Sequence, residues 1–309
     1  MPELLCPIPI RRHWHVPLMP CSMMKTDGTT CPSKRASIFL IISNGSAAPA
    51  RWCSFTGKPL RPRKPLELMQ TIDLDTLRLE DGHRILDLGC GRGRHTHAAY
   101  FHRRCHSVGL DLVLEDVLTT QSGFLENPDL EPQTGHARRY DLMVGDALSL
   151  PFLDNYFDRL ICSEVLEHIP DYCGALAEIW RITKPGGRIG ISVPHRWPEQ
   201  ICWLLSRDYY DTPGGHVRIF KRRVLQHDIE AMGFKYLTRQ LTHGLHSPYW
   251  WLKCAVGVDH NDHFLVRQYR RMLEAEILHN PPALRLLSRL TDPLMGKSLV
   301  MYFDKPEDA

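Results

Sequence analysis

Three glycines at alternate positions, Gly89, Gly91 and Gly93, separate an apolar run ending at Leu88 from a helix-prone stretch starting near residue 95. At a strand-to-helix turn, glycines let the backbone fold tightly and approach a ligand, and the N-terminus of the following helix favours negative groups. Asp111 lies twenty residues beyond Gly91, at the end of the next apolar run. A carboxylate there can accept hydrogen bonds from both hydroxyls of a ribose. The glycines run G-x-G-x-G, with Arg94 where a dinucleotide fingerprint places its third glycine, so a pyrophosphate cofactor is disfavoured.

Three further groups have the chemistry to serve a second ligand. Glu164, Glu167 and His168 share one face if their segment is helical, because they fall at i, i+3 and i+4. His195 follows the apolar run Arg188 to Val193, at the carboxyl edge where open α/β sheets bind ligands. A neutral imidazole there can take a proton from a hydroxyl or amine, an effect worth about 10² to 10⁴ in rate, or it can be a helix-entry histidine bonded to solvent. The segment HGLHSPYWWL carries Tyr249, Trp250 and Trp251, apolar bulk with polar tips that suits the roof of an aromatic or lipid-like acceptor site, or equally the core of a packed cap. No G-x-S-x-G elbow, H-E-x-x-H or P-loop is present, which excludes the common hydrolase, zincin and NTPase sites.

The elements that must position these groups follow from the hydrophobic pattern. Short β-branched runs at Arg84 to Leu88, His106 to Asp111, Asp141 to Val144, Arg159 to Ser163 and Arg188 to Val193 alternate with helical stretches near 95 to 102, 113 to 120 and 171 to 182. That alternation predicts βα units and an open, doubly wound, mostly parallel sheet. Arg222 to Met232 reads as another helix, and Phe234 to Leu241 and Ser298 to Phe303 read as two more strands, making seven, the last antiparallel. Residues 242–296 between those last strands are too many for a turn and carry helical periodicity around Val266 to Ile277, so they read as an inserted cap over the substrate.

Residues 1–68 hold ten of the 23 prolines and no sustained period, and read as disordered. An organellar transit peptide, or a native start at Met69 that makes the segment a non-native extension, are the alternatives. The functional domain is thus expected over 69–309. The same segment carries ten Lys/Arg against three Asp/Glu, leaving a balance of −4 for the remainder, which argues against nucleic acid as a partner. Ten scattered cysteines without a C-x-x-C pair read as reduced thiols in a cytoplasmic protein, and no apolar run is long enough to span a bilayer.

Taken together, RILDLGCGRGRHT at 84–96, SVGLDL at 107–112, GDALSLPF at 145–152, FDRLICSEVLEHI at 157–169 and KPGGRIGISVP at 184–194 resemble the successive motifs of class I S-adenosylmethionine (SAM) dependent methyltransferases. The similarity is to the small-molecule branch that includes ubiquinone and menaquinone methyltransferases, and it covers residues 80–195. It implies a Rossmann-like α/β fold, SAM as cofactor and a methyl transfer to a small acceptor. By the same resemblance, Gly89, Gly91 and Gly93 would line the methionine part of SAM, Asp87 would help fix its ammonium, Asp111 would hold the ribose, and Asp146 with Ala147 would meet adenine. For Asp146 the alternative is a loop carboxylate capping a turn. His195, His168 and Glu164 are the catalytic candidates. In the ubiquinone branch a Glu-x-x-Glu-His is associated with magnesium, but the expectation here is no metal, since histidine is a poor magnesium ligand. After the fourth strand the chain reads Ser163-Glu164-Val165-Leu166, not the Asn/Asp-Pro-Pro-Tyr of amine-directed DNA methyltransferases. The expected partner is therefore a hydrophobic or aromatic small molecule, with contact at a membrane surface compatible with the cap's tryptophans. A SAM-binding regulatory or scaffolding module without transfer activity is the competing reading.

Overall fold

The structure is a computed structural model that describes residues 41–43, 70–126, 138–210, 215–279 and 281–309. Its strands are β1 (Ile41–Ser43), β2 (Arg84–Leu88), β3 (His106–Asp111), β4 (Arg139–Val144), β5 (Phe157–Ser163), β6 (Thr183–Pro194), β7 (Lys235–Thr242) and β8 (Ser298–Asp304). Its helices are α1 (Arg94–His102), α2 (Leu114–Glu126), α3 (Tyr172–Ile182), α4 (Arg196–Leu205), α5 (Arg207–Tyr210), α6 (Arg222–Ala231), α7 (His246–Val256), α8 (Phe264–His279) and α9 (Pro282–Met295).

One sheet runs in the order β1-β4-β3-β2-β5-β6-β8-β7. Strands β4, β3, β2, β5 and β6 are parallel, while β8 lies antiparallel to both β6 and β7. The parallel strands are apolar on both faces because crossover helices cover both faces. In β2, Ile85 packs with Ile72, Leu77, Ala99 and Tyr302 on one side, while Leu86 and Leu88 join Leu176, Ile179 and Leu225 on the other. Adjacent strand residues point to opposite faces, so one short run feeds both cores.

The seven expected strands are β2 to β8, with β8 as the antiparallel final strand. The sheet carries one more, the three-residue β1, which pairs antiparallel with the edge of β4. It lies within the stretch expected to hold no packed element, and three residues are too few for a period to register. The rest of 1–68 lies outside the described residues. Lys184-Pro185-Gly186-Gly187, expected as a helix stop and turn, is drawn into the start of β6, where the pairing with β5 shifts register between Phe157 and Arg159.

Helices α7, α8 and α9 fill the connection between β7 and β8, where the sequence predicts an insertion. Trp251 Nε1 on α7 donates to the Pro198 carbonyl on α4 at 3.0 Å, tying this insertion to the helix that follows β6. Cys90, Cys105, Cys162, Cys202 and Cys254 are free thiols, whereas Cys173 is disulfide-bonded, a correction to the expectation of reduced cysteines that the scattered spacing could not signal. Among the described residues, no helix is long and apolar enough to cross a membrane.

Candidate functional site

Leu88 delivers the chain into the glycine loop at the carboxyl edge of the sheet. Gly89 and Cys90 amides donate to the Leu110 carbonyl at 2.7 and 3.0 Å, which bends the loop back over the end of β3. Asp111 then anchors it: its Oδ2 accepts from the Gly91 amide at 2.8 Å and its Oδ1 from the Val113 amide at 2.9 Å. A carboxylate has about four acceptor positions, so two remain for hydroxyls of a ligand.

The three glycines are required for different reasons. All have positive φ, at 72°, 51° and 81° for Gly89, Gly91 and Gly93. A Cβ on Gly89 would collide with Val165, and one on Gly93 with Thr120 and His97. At Gly91 a Cβ would meet nothing within 4 Å. Gly89 and Gly93 therefore serve close packing, and the open face belongs to Gly91.

Beneath the loop, Asp87 is 2% exposed. Its Oδ2 accepts from Thr96 Oγ1 at 2.7 Å, while Oδ1 has no partner. Burial pushes its pKa up to about 6, against the opposing pull of the Thr96 hydrogen bond and the Arg94 charge. An orphaned carboxylate oxygen beneath a loop with one open face fits the cationic amino-acid end of SAM, and Asp111 fits its ribose. Asp146 is exposed and its Oδ1 accepts from the Leu148 amide at 2.9 Å, so it caps its turn; Ala147 packs against the core.

The face expected to unite Glu164, Glu167 and His168 is not helical. The Glu164 amide still donates to the Ser192 carbonyl at 3.0 Å, extending the β5–β6 pairing, and Glu164 has φ 57°. The chain reverses in a tight turn, in which the His168 amide donates to the Val165 carbonyl at 3.0 Å. Glu164 Oε1 consequently accepts from Ser192 Oγ at 2.9 Å. Glu167 is fully buried and neither of its carboxylate oxygens has a partner. Burial, reinforced by the Glu164 charge, pushes its pKa well above the usual carboxylate range.

His195 caps α4 at the end of β6, as placed from sequence. Its Nδ1 lies 3.1 Å from the Gly296 carbonyl, which can only accept, so Nδ1 carries the proton and Nε2 keeps its lone pair. Burial lowers its pKa from the ordinary histidine value.

Sequence reasoning missed the centre of this region, Glu199 and Lys297, and assigned no role to Tyr209 and His216. Glu199 is 2% exposed and accepts from His216 Nδ1 at 2.7 Å and from Tyr209 O–H at 3.3 Å, with Lys297 Nζ 3.7 Å away. Lys297 Nζ lies 5.4 Å from the ring centre of Trp250, whose other ring neighbours are Tyr209 at 5.6 Å and Tyr249 at 6.0 Å. Trp251 lies 5.5 Å from Trp197. The structure thus joins Trp250 to the polar cluster and uses Trp251 to fasten α7 to α4. The available signal was Glu199 itself, four residues after His195 and so on the same helical face.

A strap at 70–72 crosses this edge. The Thr71 and Ile72 amides both donate to His95 Nε2 at 3.2 Å, and Thr71 Oγ1 lies 3.0 Å from His243 Nε2. Burial keeps His95 and His243 neutral, the latter at a pKa of about 3.

Residues 86–191 match the family described as "Methyltransferase domain". The chain is 30% identical over 168 residues to the ubiquinone biosynthesis O-methyltransferase of Aeromonas salmonicida, covering 53% of this chain and 65% of that protein. It is 28% identical over 153 residues to a sterol 24-C-methyltransferase of Schizosaccharomyces pombe, covering 50% of this chain and 35% of that protein. A SAM-dependent methyltransferase from Methanosarcina mazei superposes with a TM-score of 0.52 at 15% identity, over 77% of this chain and 99% of that one. The chain spans less than two thirds of the length of either of these curated relatives. Residues 86–191, which hold the Gly89–Gly93 loop and Asp111, thus carry a methyltransferase domain similar to those of SAM-dependent methyltransferases.

Proposed function

We propose that the protein transfers the methyl group of SAM to a small hydrophobic or aromatic acceptor. The open face of Gly91, above the unpartnered Asp87 oxygen, is the observation that carries the cofactor half of this reading. The acceptor half is supported by the aromatic cluster of Trp250, Tyr249 and Tyr209, and by relatives named for ubiquinone and sterol methylation.

SAM, when bound, supplies a sulfonium methyl that moves in one in-line displacement, so the protein's main task is orientation. Asp111 holds the loop in shape and keeps acceptor positions for the ribose. Asp87 offers a carboxylate to the ammonium. His195, with its proton fixed on Nδ1, presents Nε2 as the base for an acceptor hydroxyl or amine. The insertion 242–296 closes over the acceptor side, Trp250 offering its ring to the acceptor and Trp251 holding α7 on α4. Glu164 and His168, in the turn after β5, are the further candidates for proton transfer.

The test is transfer of radiolabel from methyl-labelled SAM into the organic-soluble fraction of a metabolite extract. Label in an apolar product, lost in Asp111→Ala, supports the reading. SAM binding without any labelled product in any fraction would leave the regulatory binding module as the answer.

A further inference from the structure

Helix α9 (Pro282–Met295) inverts the usual amphipathic arrangement, in which a surface helix turns its apolar stripe inward. At about 100° per residue, Ala283, Leu286, Leu287, Leu290, Pro293 and Leu294 fall within about 120° of arc. All six are exposed, with Leu286, Leu290 and Leu294 at 59%, 60% and 68%. The opposite side, less exposed, carries Leu284, Ser288, Thr291, Asp292 and Met295. There Ser288 Oγ donates to Glu276 Oε1 on α8, and Asp292 Oδ1 accepts from the Gly244 amide at 2.7 Å. Polar contacts thus hold the helix with its leucines outward, where they add little to the burial that stabilises the fold.

We propose that this face is a docking surface for an anionic lipid bilayer, with α9 lying in the plane of the interface. Arg285 and Arg289 are exposed and border one edge of the leucine face, while Asp292, the only acid of the helix, is turned inward onto Gly244. Leucines on one face with arginines at its rim suit a helix that sinks about 5 to 10 Å into the boundary between headgroups and acyl chains, its guanidinium groups reaching the lipid phosphates. A second copy of the chain is the poorer occupant, because a two-fold contact sets the same patch against itself and brings the arginines of both copies together. Trp250 and Trp251, the side chains from which the sequence predicts membrane contact, are engaged within the fold, by Tyr209 and Lys297 and by Pro198. The chain leaves α9 straight into the acceptor side: Gly296 supplies the carbonyl that fixes His195, and Lys297 pairs with Glu199. A bilayer under α9 therefore brings a lipid-dissolved acceptor to this end of the sheet. That consequence rests on the methyl-transfer reading, whereas docking itself does not.

The test is sedimentation of the full chain, without SAM or acceptor, with vesicles of phosphatidylcholine containing about 30% phosphatidylglycerol and with vesicles of phosphatidylcholine alone. Binding to the anionic vesicles is expected, weakening as salt rises. Affinity should fall at least tenfold in Leu290→Gln, which withdraws one inserted leucine, and about 30-fold in the double variant Arg285→Gln/Arg289→Gln, which removes two charges at the membrane surface. These side chains are exposed, so Tm and SAM affinity near wild type establish that both variants are folded. The proposal is overturned if the wild type stays in the supernatant with anionic vesicles, if it binds phosphatidylcholine alone equally well, or if Leu290→Gln binds as the wild type does. A wild-type dimer that Leu290→Gln dissociates, with no vesicle binding, assigns the face to a second copy and overturns it too. Vesicle binding by a chain that transfers no methyl group supports the docking surface and refutes the methyl-transfer reading alone.

Discussion

Replacing Asp87 with Asn sets stability against cofactor binding. Asp87 ionises at about 6 in the folded protein against 3.8 for the free side chain, because burial penalises its charge. The folded state therefore holds its proton more tightly than the unfolded state. The resulting cost is complete above pH 6, where both states are ionised, and fades as pH falls toward 3.8. Two pH units correspond to about 3 kcal/mol at neutral pH, of which about 1.4 kcal/mol has been relieved by pH 5.0. Asn carries no charge at either pH, so its own amide cost, about 1 to 3 kcal/mol for a buried N–H without an acceptor, is the same in both conditions. The variant-minus-wild-type difference in Tm should thus be more favourable to Asn at pH 7.5 than at pH 5.0, by about 3 to 6 °C at about 2 to 4 °C per kcal/mol. SAM affinity should move the other way, falling at least tenfold, since Asn cannot neutralise an ammonium. In the wild type, SAM affinity should rise with pH through about 6 and then level off. Calorimetric melts at the two pH values and SAM titrations decide it. A Tm difference independent of pH, or full SAM affinity in Asp87→Asn, would refute the assignment of a strained carboxylate kept for the cofactor.

The remaining expectations concern single side chains. Gly91→Ala meets no neighbour and should cost only about 1 to 2 kcal/mol from its positive φ, yet lower SAM affinity at least 100-fold; Gly89→Ala, which strikes Val165, should show the larger fall in Tm. Trp251→Ala removes the bond to Pro198 and should lose about 3 to 5 kcal/mol of stability, whereas Trp250→Ala should raise the acceptor KM with SAM affinity near wild type; the reverse pattern would exchange their roles. His195→Gln should lower kcat by about 10² or more, and the acid limb of the wild-type profile should lie below 6.5, because the neutral base is lost only as pH falls through its lowered pKa. An acid limb at or above 6.5 would point to another base.

What the sequence determined by itself was the part whose signals are local. Arg84–Leu88 and His106–Asp111 are strands with the bounds their apolar runs predict, and the glycine spacing with Asp111 singles out the loop that the structure ties together by the Gly91–Asp111 hydrogen bond. These features depend on neighbours within a few residues, through the strand period of two and the backbone freedom of glycine. Glu164, Glu167 and His168 show where that reasoning stops. Their spacing fits a helix, but pairing between β5 and β6 continues through Glu164, and this long-range contact overrides the local period. The cluster around Glu199 was less legible still. Glu199 from α4, His216 from the loop before α6 and Lys297 from the start of β8 lie up to 98 residues apart, and no periodicity links them. Only the folded sheet, by ending β6 and starting β8 side by side and laying α7 on α4, places a buried carboxylate, an oriented imidazole and an ammonium within hydrogen-bond or ion-pair reach.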